Sequence, residues 1–203
     1  MIPIQLKSEN KLALVVGAGN VGLRKAKAWR QSGGEVRFVD PRDDLELDDE
    51  HICEPFAPRH LEDVFVVFAC ATDAVNEDVV IIARANGILV CDAIRPERGD
   101  FILPATVRRG DLSIAIGTNG AAPSLAKRLR DRFDEEFDEA YTIWTRILGA
   151  VRPHVIRVTE DPESRRLLFQ SLTDSVWLER LRQIGPEATE AEMLQFIANA
   201  EGV

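Results

Sequence analysis

One stretch decides the fold of this chain: Leu12-Ala13-Leu14-Val15-Val16-Gly17-Ala18-Gly19-Asn20-Val21-Gly22. An apolar run followed at once by spaced glycines predicts a buried strand, a tight turn and the start of a helix. In such a turn the first glycine lets the chain bend, the second lets a pyrophosphate approach the backbone, and the third lets the helix pack against the sheet. The stretch predicts a dinucleotide-binding unit; the alternative is a parallel sheet whose glycines serve only the turn. The residues expected to hold the phosphates are Gly17, Ala18, Gly19, Asn20, Val21 and Gly22.

The residues after the glycines support this interpretation. A helix is predicted from Val21 to Ser32, and a second strand, Glu35 to Val39, ends at Asp40. A carboxylate about 20 residues after the glycines is placed to accept hydrogen bonds from a ribose diol, which favours NAD over NADP. Arg42 weakens that preference, since an arginine can pair with a 2′-phosphate. We therefore expect the adenosine to lie against Asp40, Pro41 and Arg42.

The alternation of strands and helices continues to residue 91. Val64 to Cys70 is apolar at nearly every position, as in a strand buried on both faces, and a helix from Ala74 to Ala85 and a strand from Ile88 to Cys91 follow. This alternation predicts a parallel sheet with right-handed crossovers. Thr72 and Asp73 follow a central strand and are expected at the nicotinamide side, with helix capping as their alternative role.

The pattern changes after residue 91. Two strand-like runs, Phe101 to Arg108 and Leu112 to Gly117, predict an antiparallel hairpin. A stripe of apolar residues from Leu125 to Leu148 predicts one long helix, which either packs within the chain or forms a dimer interface. The predicted fold is therefore α/β: a Rossmann-type parallel sheet, a central hairpin plus long-helix dimerisation region and a C-terminal helical region. The predicted boundaries are 1–113, 114–150 and 151–203.

Composition narrows the class of protein further. A net charge of −9 over 203 residues argues against a general nucleic-acid binder. The longest apolar stretch, Val64 to Ala71, is too short to span a membrane, and the N-terminus lacks the pattern of a signal peptide. Three cysteines without metal-ligand spacing are expected to be free thiols, so no metal site is predicted and the expected location is cytoplasmic.

With these segments in place, the chain resembles the precorrin-2 dehydrogenases, the siroheme synthase N-terminal family. The resemblance covers roughly the first 150 residues, and each of its pieces is modestly specific, but they occur in the family's order. They are Ile2-Pro3-Ile4, Val15 to Gly22, Arg24-Lys25-Ala26, Ala71-Thr72-Asp73 with Asn76, Asp100 to Ala105, and Thr118-Asn119-Gly120 with Pro123 and Leu125-Ala126. The resemblance implies a homodimer that uses NAD to oxidise precorrin-2, a tetrapyrrole with eight carboxylates, to sirohydrochlorin. Some members also insert a metal, and the sequence leaves open whether this chain does.

The resemblance also implies site residues, and the chain departs from the family at two places. The family's proton-handling aspartate corresponds to Ile94, so Asp92 is the candidate replacement, with an ordinary strand-end carboxylate as the alternative. Around Thr118 and Asn119, the expected substrate-binding turn, Gly117 and Ala121-Ala122 stand where the family tends to have polar residues. Arg95, Arg98 and Lys127 are expected to bind substrate carboxylates, the alternative being a solvated basic face.

Two other functions remain compatible with the sequence. The first is a sensor or carrier that binds NAD or a tetrapyrrole and has reduced catalytic activity, and the substitution at Ile94 favours it. The second is an oxidoreductase that acts on a different small carboxylate.

Overall fold

A computed structural model describes residues 1–200 of the chain. The chain forms two compact units, Met1–Leu103 and a second unit that begins at Pro104. The second unit begins before the boundary predicted at residue 113, because both strands of the hairpin pair with each other and pack with the helices that follow them.

The first unit is a five-stranded parallel sheet with a helix on each face. Its strand order is β3-β2-β1-β4-β5, so the predicted Rossmann-type sheet is confirmed. Its elements are β1 (Leu12–Val16), α1 (Asn20–Arg30), β2 (Glu35–Val39), β3 (Glu50–Ile52), β4 (Val64–Ala69), α2 (Asp73–Ala85) and β5 (Leu89–Asp92). Short 3₁₀ turns occupy Pro58–Leu61 and Pro96–Arg98.

The central strands are apolar on both faces because a helix covers each face. Alternate residues of a strand point to opposite sides. Leu14 and Val67 accordingly pack with Val79 of α2, whereas Val15 and Phe68 pack with Ala26, Trp29 and the rest of the opposite core. The carboxyl ends of β1 and β4 lie side by side, since Val16 pairs with Ala69. The turns after these two strands are therefore neighbours.

The second unit is a hairpin followed by helices. Its elements are β6 (Ala105–Arg109), β7 (Leu112–Ile116), α3 (Pro123–Glu136), α4 (Ala140–Val158), α5 (Pro162–Leu172), α6 (Ser175–Ile184) and α7 (Pro186–Asn199). The two strands are antiparallel, as predicted. Side chains of α4, α5, α6 and α7 form one buried core around Ile147, Leu172, Leu181 and Met193.

The prediction of one long helix across Leu125 to Leu148 is wrong, because α3 ends at Glu136 and α4 begins at Ala140. Acidic residues crowd the last turn of α3, where the helix dipole disfavours negative charge. Asp138 then accepts a hydrogen bond from the N–H of Ala140 at 3.1 Å, a local bond that competes with helix continuation. The stripe of apolar residues nevertheless continues across the break between the helices, where the ring centroids of Phe137 and Tyr141 are 4.7 Å apart.

Candidate functional site

The glycine turn after β1 has the geometry that its sequence predicts. Gly17 has φ +96°, and a Cβ there would lie 2.7 Å from the carbonyl oxygen of Cys70. A Cβ on Gly22 would lie 2.0 Å from the carbonyl oxygen of Gly17, so the helix approaches the turn too closely for any side chain. These two glycines are therefore required by the fold itself.

Gly19 is different, because its surroundings leave room for a ligand. No atom among residues 1–200 lies within 4 Å of the position that its Cβ would take, its own chain neighbours aside. Gly19 precedes α1, and Gly19, Asn20 and Val21 are exposed while Gly17, Ala18 and Gly22 are buried. The exposed part of the turn thus coincides with a helix N-terminus, whose N–H groups and positive dipole end favour an anion such as a diphosphate. The turn therefore fits a dinucleotide.

Asp40 lies beside this turn at the end of β2. Its Oδ2 accepts a hydrogen bond from the N–H of Ala18 at 2.7 Å, which ties the second strand to the glycine turn. The guanidinium of Arg42 forms a fork on the same carboxylate, with Nε 2.9 Å from Oδ1 and Nη2 2.8 Å from Oδ2. The hydrogen bond from Arg42 holds the pKa of Asp40 well below its usual range. Pro41 is exposed between them.

Thr72 and Asp73 lie at the carboxyl end of β4, as predicted. Thr72 is the N-cap of α2, and its Oγ1 accepts from the N–H of Val75 at 3.5 Å. Asn76 is fully buried one turn later, where it accepts from the N–H of Ala71 at 2.9 Å and donates to Asp92 at 3.1 Å. The capping role of Thr72 is thus present in the structure, while a contact with nicotinamide stays a prediction.

Asp92 is buried at the end of β5, where its carboxylate accepts hydrogen bonds from four donors of the chain. Oδ1 accepts from the N–H groups of Ile94 and Arg95 at 2.9 and 3.0 Å as well as from Asn76, and Oδ2 accepts from Nε of Arg98 at 2.8 Å. Burial acts to raise the pKa of Asp92, but these hydrogen bonds outweigh it and the pKa is lowered. The carboxylate shapes the loop that follows β5, and its predicted catalytic role stays a prediction.

Arg95 and Arg98 are both engaged by carboxylates of the chain. Arg95 forks onto Asp73 with Nη2 3.0 Å from Oδ2, and Arg98 reaches Asp73 at 2.6 Å in addition to Asp92. The pKa of Asp73 is lowered, chiefly by the hydrogen bond from Arg95. Substrate carboxylates would therefore have to compete with Asp73 for these arginines. Ile94, beside them, is 49% exposed.

The remaining predicted substrate residues lie in the second unit. Thr118 and Asn119 form the turn before α3, where Oγ1 of Thr118 accepts from the N–H of Ala122 at 3.2 Å and Asn119 has φ +51°. Lys127 is exposed on α3. The structure thus confirms a turn at these residues, and their contact with substrate stays a prediction.

Sequence reasoning missed the surroundings of Lys25, a half-buried side chain of α1. Its Nζ lies 3.3 Å from Sγ of Cys91 and 5.7 Å from the ring centre of Phe68. Nearby, burial raises the pKa of Cys70 to about 12. In the sequence, Arg24 and Lys25 stand out only as part of a motif, and helical periodicity does not indicate that Lys25 contacts residues of the sheet.

The parallel sheet, its glycine turn and Asp40 define a dinucleotide-binding protein of the Rossmann type. A family model described as "Putative NAD(P)-binding" matches residues 4–105, and a second, "Sirohaem biosynthesis protein central", matches residues 109–136. The first model matches half of the chain, so the chain belongs to this NAD(P)-binding family, and the second model adds a match to the central region of sirohaem biosynthesis proteins. This confirms the predicted resemblance and the nicotinamide dinucleotide, NAD, as its cofactor.

Individual relatives agree with this assignment. A siroheme synthase of Pseudoalteromonas translucida is 31% identical over 98% of this chain and 44% of its own length. One from Gluconacetobacter diazotrophicus is 33% identical over 85% of this chain and 39% of its own. The chain thus spans less than half the length of these curated relatives. A solved structure, "SirC, precorrin-2 dehydrogenase", is 27% identical with a TM-score of 0.77, covering 98% of this chain and 100% of that one.

Residues 1–200 contain neither a candidate metal-ion site nor a candidate membrane-spanning helix. No group of three or more His, Cys, Asp or Glu side chains is arranged to hold a metal ion. None of the helices described has the length and apolar character needed to cross a membrane.

Proposed function

We propose that this chain is an NAD-dependent dehydrogenase that converts precorrin-2 to sirohydrochlorin in siroheme biosynthesis. The main support for the proposal is the turn from Gly17 to Gly22, which leaves open space at Gly19 beside Asp40. The chain also covers the whole of a solved precorrin-2 dehydrogenase. Because that structure is covered in full, the likeness extends to the second unit as well as to the cofactor domain.

The reaction removes a hydride and a proton from the substrate. NAD⁺, when bound, supplies the hydride acceptor. The residues of this chain would then orient the reactants, which is the main contribution a protein makes to hydride transfer. The glycine turn would take the diphosphate, Asp40 the ribose, and Thr72 and Asp73 would border the nicotinamide at the carboxyl end of β4.

Asp92 fits a positioning role better than that of a general base. Its oxygens already accept four hydrogen bonds, its side chain is buried and its pKa is lowered, so it holds a proton poorly at neutral pH. We propose that the proton leaves to solvent and that Asp92 fixes the loop carrying Arg95 and Arg98. These arginines are the proposed partners of substrate carboxylates. For the second unit, Thr118, Asn119 and Lys127 are proposed separately as contacts of the substrate's polar groups.

The deciding experiment incubates the protein with precorrin-2 and NAD⁺ and follows the sirohydrochlorin spectrum and NADH absorbance together. The two signals are expected to rise in equal amounts, and only when NAD⁺ is present. A parallel reaction with Fe²⁺ tests for chelation of the product. Absence of both signals, with a folded protein, would contradict the proposal.

A binding protein without turnover is the second candidate, favoured by the exposed Ile94 and by the fully bonded Asp92. The same assay separates the two functions. NAD⁺ and tetrapyrrole binding detected by calorimetry, without sirohydrochlorin, would support a sensor or carrier.

We also propose that the chain works as a homodimer in the cytoplasm. Within α3 only Ala126 is buried, while Leu125 is 43% exposed, so the apolar stripe of this helix is incompletely covered. The cysteines Cys53, Cys70 and Cys91 are free thiols, as suits a reducing compartment.

A further inference from the structure

Both oxygens of the Asp40 carboxylate are already bonded to donors of the chain. An ionised carboxylate offers about four lone-pair sites, two on each oxygen. Oδ1 accepts from the backbone N–H of Arg42 at 3.1 Å and from its Nε at 2.9 Å. Oδ2 accepts from the N–H of Ala18 at 2.7 Å and from Nη2 of Arg42 at 2.8 Å. Each oxygen of Asp40 therefore already accepts two hydrogen bonds, the usual number for a carboxylate oxygen.

These four donors form two pairs of different kinds. The N–H groups of Ala18 and Arg42 belong to the backbone, are fixed by the glycine turn and the end of β2, and occupy one site on each oxygen. The guanidinium also occupies one site on each oxygen, but it belongs to a side chain that is 52% exposed. If the guanidinium swings away, each oxygen regains one acceptor. Two neighbouring acceptors are what the 2′- and 3′-hydroxyls of a ribose require.

We propose that Arg42 is a specificity-determining residue that competes with the ribose diol for Asp40 and so sets how strongly the site prefers NAD⁺ to NADP⁺. This inference rests on the proposed function, since it requires the adenosine ribose to bind at Asp40. The guanidinium must leave the carboxylate before a diol can donate to it. A dinucleotide with a 2′-phosphate keeps only the 3′-hydroxyl as a donor and brings a negative charge towards the carboxylate, so it should not gain from the freed acceptors.

The acidic residues that follow Arg42 should make its removal affect NAD⁺ and NADP⁺ binding differently. Asp43 and Asp44 follow it directly, so removing the guanidinium leaves an acidic edge that repels a 2′-phosphate. The same removal frees Asp40 for a diol. The two dinucleotides should therefore respond differently to one substitution, which a purely structural role of Arg42 would not produce.

The test measures NAD⁺ and NADP⁺ binding by calorimetry in the wild type and in Arg42→Ala. We expect NAD⁺ to bind roughly two- to fivefold more tightly to the variant, because this is the size of effect that one exposed ion pair usually has. NADP⁺ should show no gain in affinity. Arg59→Ala removes the same charge from an exposed arginine that pairs with Glu54, and should change neither affinity. In an Asp40→Asn background, the gain from Arg42→Ala should disappear, because an amide cannot accept the fork.

Each remaining outcome has a definite meaning. Unchanged or weaker NAD⁺ binding to Arg42→Ala, or an equal gain for both dinucleotides, would overturn the inference and leave the dehydrogenase proposal intact. Absence of heat with NAD⁺ in the wild type and in Arg42→Ala alike, with both proteins folded, would instead remove the proposed cofactor site and with it the dehydrogenase proposal.

Discussion

At the scale of single residues, the three glycines of the turn have separable roles. Gly17 and Gly22 are enclosed by backbone atoms, whereas Gly19 faces open space. The spacing of the glycines in the sequence does not show this difference. It becomes visible only from the atoms that surround the position a Cβ would take on each glycine. Binding and stability should therefore respond to different glycines.

Gly19→Ala and Gly22→Ala are the matched pair that tests this separation. Gly19 has φ −78°, which alanine adopts freely, so Gly19→Ala should change the free energy of unfolding by less than about 0.5 kcal/mol. Its methyl group would project where the diphosphate approaches and should weaken NAD⁺ binding at least about tenfold. Gly22→Ala should cost about 1–3 kcal/mol through its clash with Gly17. Denaturant unfolding and calorimetry measure the two effects, and similar destabilisation by both variants would contradict the assignment.

Asp92 should make stability depend on pH in acid. Its pKa is lowered in the folded protein relative to the unfolded value of about 3.9, so its contribution is complete above that value and is lost as pH falls through the folded pKa. Asp92→Asn should cost about 2 kcal/mol at pH 7, with a difference from wild type that is constant from about pH 5.5 to 8 and shrinks below about pH 4. Unfolding in denaturant across this range measures it.

The control for that series is Asp111→Asn, in the exposed turn of the hairpin. This variant also removes one negative charge, but at an exposed position. It should change the free energy of unfolding by less than about 0.5 kcal/mol at each pH. A wild-type and Asp92→Asn difference that persists unchanged at pH 3 would show that the ionised carboxylate is not the source of the stabilisation.

At the scale of elements, the carboxyl edge of the sheet is held by a few side chains that bridge strands and helix. Asn76 of α2 donates to the carbonyl of Ala69 at the end of β4 and to Asp92 at the end of β5. It also accepts from the N–H of Ala71. One buried amide thus fixes how α2 meets two strands next to the proposed nicotinamide side.

Asn76→Ala should cost about 1–3 kcal/mol, because it leaves buried backbone groups and the Asp92 carboxylate short of a partner. Asn86→Ala, at the exposed end of the same helix, is the control and should cost less than about 0.5 kcal/mol. Denaturant unfolding compares the two variants. Equal losses would mean that the position of α2 does not depend on the buried amide.

At the scale of the whole molecule, each unit has its own buried core and the chain carries a net charge of −9. The proposed homodimer predicts a sedimentation mass about twice the 22.6 kDa of one chain. Leu125→Glu should shift that mass towards the monomer by placing a charge in the proposed interface. Leu167→Glu, at a leucine of α5 that is 50% exposed, should leave the mass unchanged. A monomeric wild type would contradict the dimer.

The amino-acid sequence by itself determined the parallel sheet and the place of the glycine turn. These follow from short-range patterns: apolar runs such as Val64 to Ala69, glycines at fixed spacing, and Asp40 directly after a strand. Local backbone preference and hydrophobic periodicity are encoded within a few residues of one another, so they can be read without knowing the fold.

Only the tertiary structure decided which charged groups are already paired. Arg98 meets Asp73, 25 residues away, because two strands end at the same edge of the sheet, and Arg42 folds back onto Asp40. The break between α3 and α4 likewise depends on whether Asp138 bonds to the backbone or the helix continues. A sequence gives the charges, but their partners depend on distances that the folded chain alone establishes.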